Sequence, residues 1–194
     1  MIDRRSILLG ALGATAALTS PAATRTARAE AAMSQITAYA FAFPALSGDD
    51  IRLAEYTGHP LLVVNTASLC GYTPQYGGLQ ALWTEFHERG FAIIGVPSND
   101  FGGQEPGGAA DIAETAQHQY SVTFPISAKA VVTGPGAHPF YKWAAQARPK
   151  DVPRWNFHKY LIGRDGRVAD VFASAVEPTD TRVKTAIARA LADS

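Results

Sequence analysis

The chain has one cysteine among 194 residues, no surplus of either charge, and a single N-terminal apolar stretch too short to span a membrane. One thiol excludes an internal disulfide and a cysteine-only metal site, so any sulfur chemistry belongs to Cys70. Seventeen Lys and Arg against 17 Asp and Glu leave no basic excess for gripping a phosphate backbone, which argues against nucleic-acid binding. The apolar stretch from Ile7 to Leu18 has 12 residues, where about 20 make a spanning helix, so no stable membrane anchor is expected. The five histidines (His59, His87, His118, His138 and His158) show no metal-ligand spacing. The pairs Gly102-Gly103 and Gly107-Gly108 lack the Gly-Lys-Ser/Thr that would make a phosphate loop, so neither a bound cofactor nor a metal is expected. What is present, 47% hydrophobic and 18% charged residues, is the composition of one globular domain.

The N-terminus reads as an export segment. Asp3-Arg4-Arg5-Ser6 precedes the apolar stretch, and Ala27-Arg28-Ala29 places small residues at the −3 and −1 positions of a cleavage site. The Arg4-Arg5 pair is similar to a bacterial twin-arginine signal, which addresses folded proteins for export. Cleavage after Ala29 is expected, with residues 1–29 removed, residues 30–194 forming one domain, and a periplasmic location. The mature chain would keep 13 basic and 16 acidic residues.

Within that domain, Leu61-Leu62-Val63-Val64 and Phe91-Ala92-Ile93-Ile94-Gly95-Val96 are apolar, β-branched runs of the kind buried on both faces of a sheet. Between them Leu79, Leu82, Trp83 and Phe86 recur at helical spacing before Gly90, so the segment predicts a strand–helix–strand crossover with parallel strands. His158 to Ile162 and Arg167 to Phe172 flank an Asp165-Gly166 turn and predict a hairpin. Val183, Ala186, Ile187, Ala190 and Leu191 form one stripe of a closing helix, and shorter helices are expected over 108–120 and 137–147. The sum is an α/β fold, a central mixed sheet with helices on both faces.

Cys70 follows the first buried strand and precedes the helix marked by Pro74. Unpaired backbone N–H groups at such a junction favour an anion, so a thiol there tends to ionise and can act as a nucleophile. The competing reading is an inert, buried structural cysteine. Thr73 stands where a Cys-x-x-Cys motif would need its second cysteine, which excludes dithiol exchange.

Three stretches decide between these readings: Asn65-Thr66-Ala67-Ser68-Leu69-Cys70-Gly71-Tyr72-Thr73-Pro74-Gln75-Tyr76, Pro97-Ser98-Asn99-Asp100-Phe101-Gly102-Gly103-Gln104-Glu105-Pro106-Gly107, and Trp155-Asn156-Phe157. In order and spacing they closely resemble the glutathione peroxidase family, from about Phe41 to Leu191. The resemblance implies a thioredoxin-like fold and reduction of hydrogen peroxide and organic or lipid hydroperoxides by a thiol donor. It implies Cys70 as the peroxidatic residue, with Gln104, Trp155 and Asn156 as its hydrogen-bonding partners. Neutral amide and indole N–H groups suit that task, since they stabilise a thiolate and a departing oxygen without competing for the proton. Adjacent strand residues face opposite sides, so for Trp155 and Asn156 to share a site the chain must turn at 154–157. Tyr72, Phe101 and Trp155 are expected to rim the site, and His158 reads as a strand residue beside it.

Two departures from the family pattern matter. Gln117 and Ser98 occupy positions where relatives carry further cysteines, so an oxidised Cys70 must be reduced by an external thiol, glutathione or a thioredoxin-like partner. The stretch between Tyr141 and Trp155 is short, which predicts a monomer or weak dimer with an open site. The alternative function is a peroxide sensor or redox relay oxidised at Cys70 with little turnover.

Overall fold

The computed structural model describes residues 35–193, and the export segment expected at 1–29 lies outside the described residues. Two short strands, β1 (Ala42–Pro44) and β2 (Asp50–Arg52), pair antiparallel near the start of the domain. The chain then enters β3 (Leu61–Thr66), buried at all six positions, as the apolar run Leu61 to Val64 requires and with the polar Asn65 and Thr66 enclosed too. Helix α1 (Gln75–Phe86) follows and ends through a tight turn closed by Gly90. Next comes β4 (Ala92–Pro97), which runs parallel to β3. The expected crossover is therefore present, with Leu79, Leu82 and Phe86 buried on its helix.

Beyond β4 lies α2 (Ala109–Ala113), which widens into π-helical turns over Glu114–Gln119. Helix α3 (Pro139–Ala147) starts with a proline at its first position and with the His138 side chain accepting the Phe140 N–H. Strands β5 (Lys159–Ile162) and β6 (Val168–Phe172) form the hairpin around Asp165-Gly166, and α4 (Thr181–Ala192) closes the domain. Asp180 caps α4 by accepting the Arg182 N–H.

The four long strands make one mixed sheet in the order β4-β3-β5-β6, with β3 parallel to β4 and antiparallel to β5. Side chains alternate across it. Leu62, Val64, Ile93 and Leu161 pack with Leu79, Leu82 and Phe86 of α1 and with Val183, Ala186 and Ile187 of α4. Tyr160 points the other way, its ring 6.2 Å from both Phe140 and Tyr141 of α3, and Phe43 of β1 extends that aromatic layer. Helices thus cover both faces, and the central strand β3 delivers its C-terminal end to the turn that carries Cys70.

The hairpin turn sets one sharp steric limit. Gly166 has φ +74°, and a Cβ there would stand 2.7 Å from Tyr39 Cε2 and 2.8 Å from Thr37 Cβ. Gly166→Ala is expected to destabilise the domain by about 2 kcal/mol through left-handed strain and this clash. Chemical denaturation is the check, and an unchanged midpoint would contradict the packing described.

Candidate active site

Cys70 lies in a run of turns between β3 and α1, five residues ahead of the first helical residue rather than at the helix terminus itself. It is 7% exposed. Thr73 shapes the turn: its hydroxyl accepts the Cys70 N–H at 3.0 Å and donates to the Ala67 carbonyl at 2.9 Å, while its own N–H donates to the Cys70 carbonyl. The Tyr72 N–H then points back at Cys70 Sγ, 3.4 Å away. The backbone donor that meets the sulfur thus comes from this turn.

Gln104 reaches the same place from the loop after β4. Its carbonyl accepts the N–H of Leu69, the residue before Cys70, at 3.0 Å. The loop gets there through Gly102 and Gly103, both at φ +65°, a left-handed pair that side chains other than glycine's tolerate poorly. It is then pinned from several sides. Asn99 Oδ1 accepts the Glu105 N–H, Ser68 Oγ donates to Glu105 Oε2, and Lys129 Nζ donates to the carbonyls of Glu105, Pro106 and Gly107. Burial raises the Glu105 carboxyl above its ordinary pKa, with the Ser68 contacts and Lys129 opposing the shift.

Trp155 and Asn156 arrive on a turn ahead of β5, where the strand alternation is broken and the two side chains are freed from opposite faces. Asn156 is fully buried and its Nδ2 donates to Gln104 Oε1 at 3.0 Å. That bond turns the Gln104 Nε2 away from Asn156. Trp155 remains 39% exposed, its ring 6.1 Å from that of Phe101 and close over Gly102. Gln104 and Asn156 therefore touch directly, Trp155 covers the loop that bears Gln104, and the Gln104 backbone is bonded to the Cys70 turn. None of the three side chains hydrogen-bonds Sγ in this resting arrangement.

Asn65, not singled out from the sequence, organises this turn. Fully buried at the end of β3, it donates from Nδ2 to the Trp155 carbonyl at 3.1 Å and accepts the His158 N–H on Oδ1 at 3.1 Å. Its backbone carbonyl takes the Phe157 N–H as well. Phe157 sits at φ +63°, a strained conformation for a non-glycine residue that these bonds hold in place. A signal was there to be read, since Asn65 is the lone amide of β3 and follows four apolar residues. His158 is buried beside the site, and burial first, then the neighbouring Lys159 charge, lowers its pKa to about 4, so it stays neutral at working pH.

Known proteins share this arrangement of sequence and fold. A hydroperoxy fatty acid reductase of Synechocystis is 44% identical over 154 residues, covering 74% of this chain and 90% of its own. The crystal structure of Trgpx in its apo form superposes with a TM-score of 0.67 at 33% identity, covering 81% of this chain and 97% of the other. A thioredoxin-family thiol:disulfide interchange protein of Chlorobium tepidum, at 14% identity and TM-score 0.59, shares the fold, which is thus thioredoxin-like. The family profile of glutathione peroxidase matches residues 38–145, and with the reductase likeness running over most of both chains, this protein belongs to the glutathione peroxidase family.

Proposed function

We propose that Cys70 is the nucleophile of a thiol-dependent hydroperoxide reductase, with Gln104, Trp155 and Asn156 as the donors that serve it. Membership of the family carries the coarse activity, reduction of hydroperoxides at the expense of a thiol. The observation that supports the residue assignment is the double tie at Gln104: its backbone bonds the residue before Cys70 while its side-chain amide is held by Asn156.

The chemistry follows from that placement. The Cys70 thiolate attacks the outer oxygen of ROOH, the S–O bond forms as the O–O bond breaks, and a proton delivered to the departing oxygen yields ROH and a sulfenic acid. The Nε2 of Gln104 and the indole N–H of Trp155 lie on the side chains that would meet that oxygen as its charge grows. Asn156 fixes the Gln104 amide so that its donor end, not its acceptor end, faces substrate. One external thiol then condenses with the sulfenic acid, releasing water and leaving a mixed disulfide, and a second thiol restores Cys70 and leaves as the disulfide. No second cysteine exists to do this internally.

Substrates of this reading include hydrogen peroxide and organic hydroperoxides. The exposed rim of Trp155 with Phe101, together with the named activity of the Synechocystis relative, supports apolar ROOH. The reductant is an external thiol, glutathione or a thioredoxin-like protein, and no prosthetic group takes part. The chain acts as a monomer or weak dimer. Its N-terminal motif supports export to the periplasm with cleavage after Ala29, which N-terminal sequencing of the periplasmic protein would read as a start at Glu30.

Peroxide consumption with glutathione and with thioredoxin, offered separately, tests the assignment. Cys70→Ser is expected to abolish turnover, and Gln104→Ala to lower the rate of Cys70 oxidation by roughly 100-fold, as for loss of an oxyanion-type donor. Equal turnover by Cys70→Ser and wild type would overturn the mechanism. Stoichiometric oxidation of Cys70 without turnover under either donor would favour the redox relay instead.

A further inference from the structure

Lys159 is the one charged side chain of β5 and has no exposed surface. Burying an ammonium without partners is costly, and here it has three. Nζ donates to the Phe157 carbonyl at 2.7 Å, to Gln75 Oε1 at 2.8 Å and to the Val176 carbonyl at 2.8 Å. Each acceptor belongs to a different part of the molecule. Phe157 is the left-handed residue that closes the Trp155–Asn156 turn, Gln75 is the first residue of α1 just past the Cys70 turn, and Val176 lies in the segment leading to α4. The pairing register shows how the grip works. Lys159 opposes Val64 in the β3–β5 ladder, so it shares the face of Val64, and Asn65 holds the same turn from the opposite face.

We infer that Lys159 is a positioning residue for the peroxidase reaction: its ammonium clamps the Trp155–Asn156 turn to the start of α1 and so fixes those side chains against Cys70. This rests on the proposed assignment of Cys70 and its donors. Three acceptors need three N–H bonds, which only the charged form supplies; a neutral amine has two and leaves one acceptor empty. Burial lowers the pKa of the group to about 7, with Glu177 opposing, and the same charge in turn lowers that of His158. The clamp therefore loosens as pH rises through the neutral range. Stability moves the opposite way. Between about 7 and the ordinary lysine value of 10.5 the unfolded chain holds a proton that the native one has lost, so this group's contribution to stability rises with pH across that window.

The test compares two reactions at Cys70 in the full chain. Hydrogen peroxide depends on the donors around the sulfur, whereas alkylation by iodoacetamide does not, and the ratio of the two rate constants cancels the thiolate fraction and access. Lys159→Met is expected to lower that ratio by roughly tenfold to a hundredfold, the scale of a misplaced catalytic group. The wild-type ratio is expected to fall as pH is raised from 6 to 9, and the Lys159→Met ratio to stay flat. Gln75→Met removes one arm of the clamp and should lower the ratio in the same direction, which keeps the inference testable if Lys159→Met does not fold. A ratio unchanged in both variants, or rates for both reagents falling together, would assign Lys159 to the scaffold alone. A wild-type protein whose Cys70 shows no preference for peroxide would instead remove the underlying assignment.

Discussion

The candidate site depends on how the turn before β5 is held, because from that turn Asn156 reaches Gln104 and Trp155 reaches Phe101. The hold is a buried amide. Asn65 gives its N–H to the Trp155 carbonyl, takes the His158 N–H on its oxygen, and offers its backbone carbonyl to Phe157. Hydrogen bonds in so enclosed a place are strong relative to water and costly to leave unmade. They stabilise the left-handed Phe157, and through it the bond from Asn156 to Gln104. Gln104 then joins the third segment by accepting the Leu69 N–H. Two amides, Asn65 and Asn156, and the Gln104 carbonyl thus tie three pieces of chain far apart in sequence together at the Cys70 turn.

Neutrality is itself part of the design. A bare charge beside the sulfur would shift its ionisation; the nearby Glu105 carboxyl is bonded to Ser68 and burial raises its pKa. The donor that meets the sulfur is the neutral Tyr72 N–H, the Gln104–Asn156 amide pair bonded to the Cys70 turn is neutral too, and His158 next door is kept uncharged by burial and by Lys159. Two ammonium groups near the site, Lys129 on the Gln104 loop and Lys159 enclosed behind the turn, are bonded to backbone and amide oxygens, where they act on geometry.

Much of the scaffold was legible from periodicity. Leu79, Leu82 and Phe86 announced α1, Val183, Ala186 and Ile187 announced α4, and Asp165-Gly166 announced the hairpin, since these patterns are local consequences of 3.6- and 2-residue repeats. The strands β1 and β2, three residues each, carry too few positions for any repeat to show. The π-helical widening over Glu114–Gln119 breaks the helical period that the sequence suggested there. At the site, resemblance singled out Cys70, Gln104, Trp155 and Asn156, of which the fold bonds Gln104 to Asn156 and to the residue before Cys70. Thr73, Asn65 and Lys159 could not be given their roles, because each is defined by partners between 2 and 93 positions away whose geometry only the folded chain sets.

The most direct measurement is the single-turnover rate at which one equivalent of hydrogen peroxide converts Cys70 to a sulfenic acid, trapped by a dione reagent and located by mass spectrometry, in wild type and in Asn65→Leu. Leucine keeps the branching of Asn65 while removing both side-chain hydrogen bonds to the turn. The account predicts rapid trapping on Cys70 in wild type and a rate lower by about a hundredfold in a folded Asn65→Leu protein. Equal trapping rates in the two proteins, or no adduct at Cys70 in wild type, would contradict it.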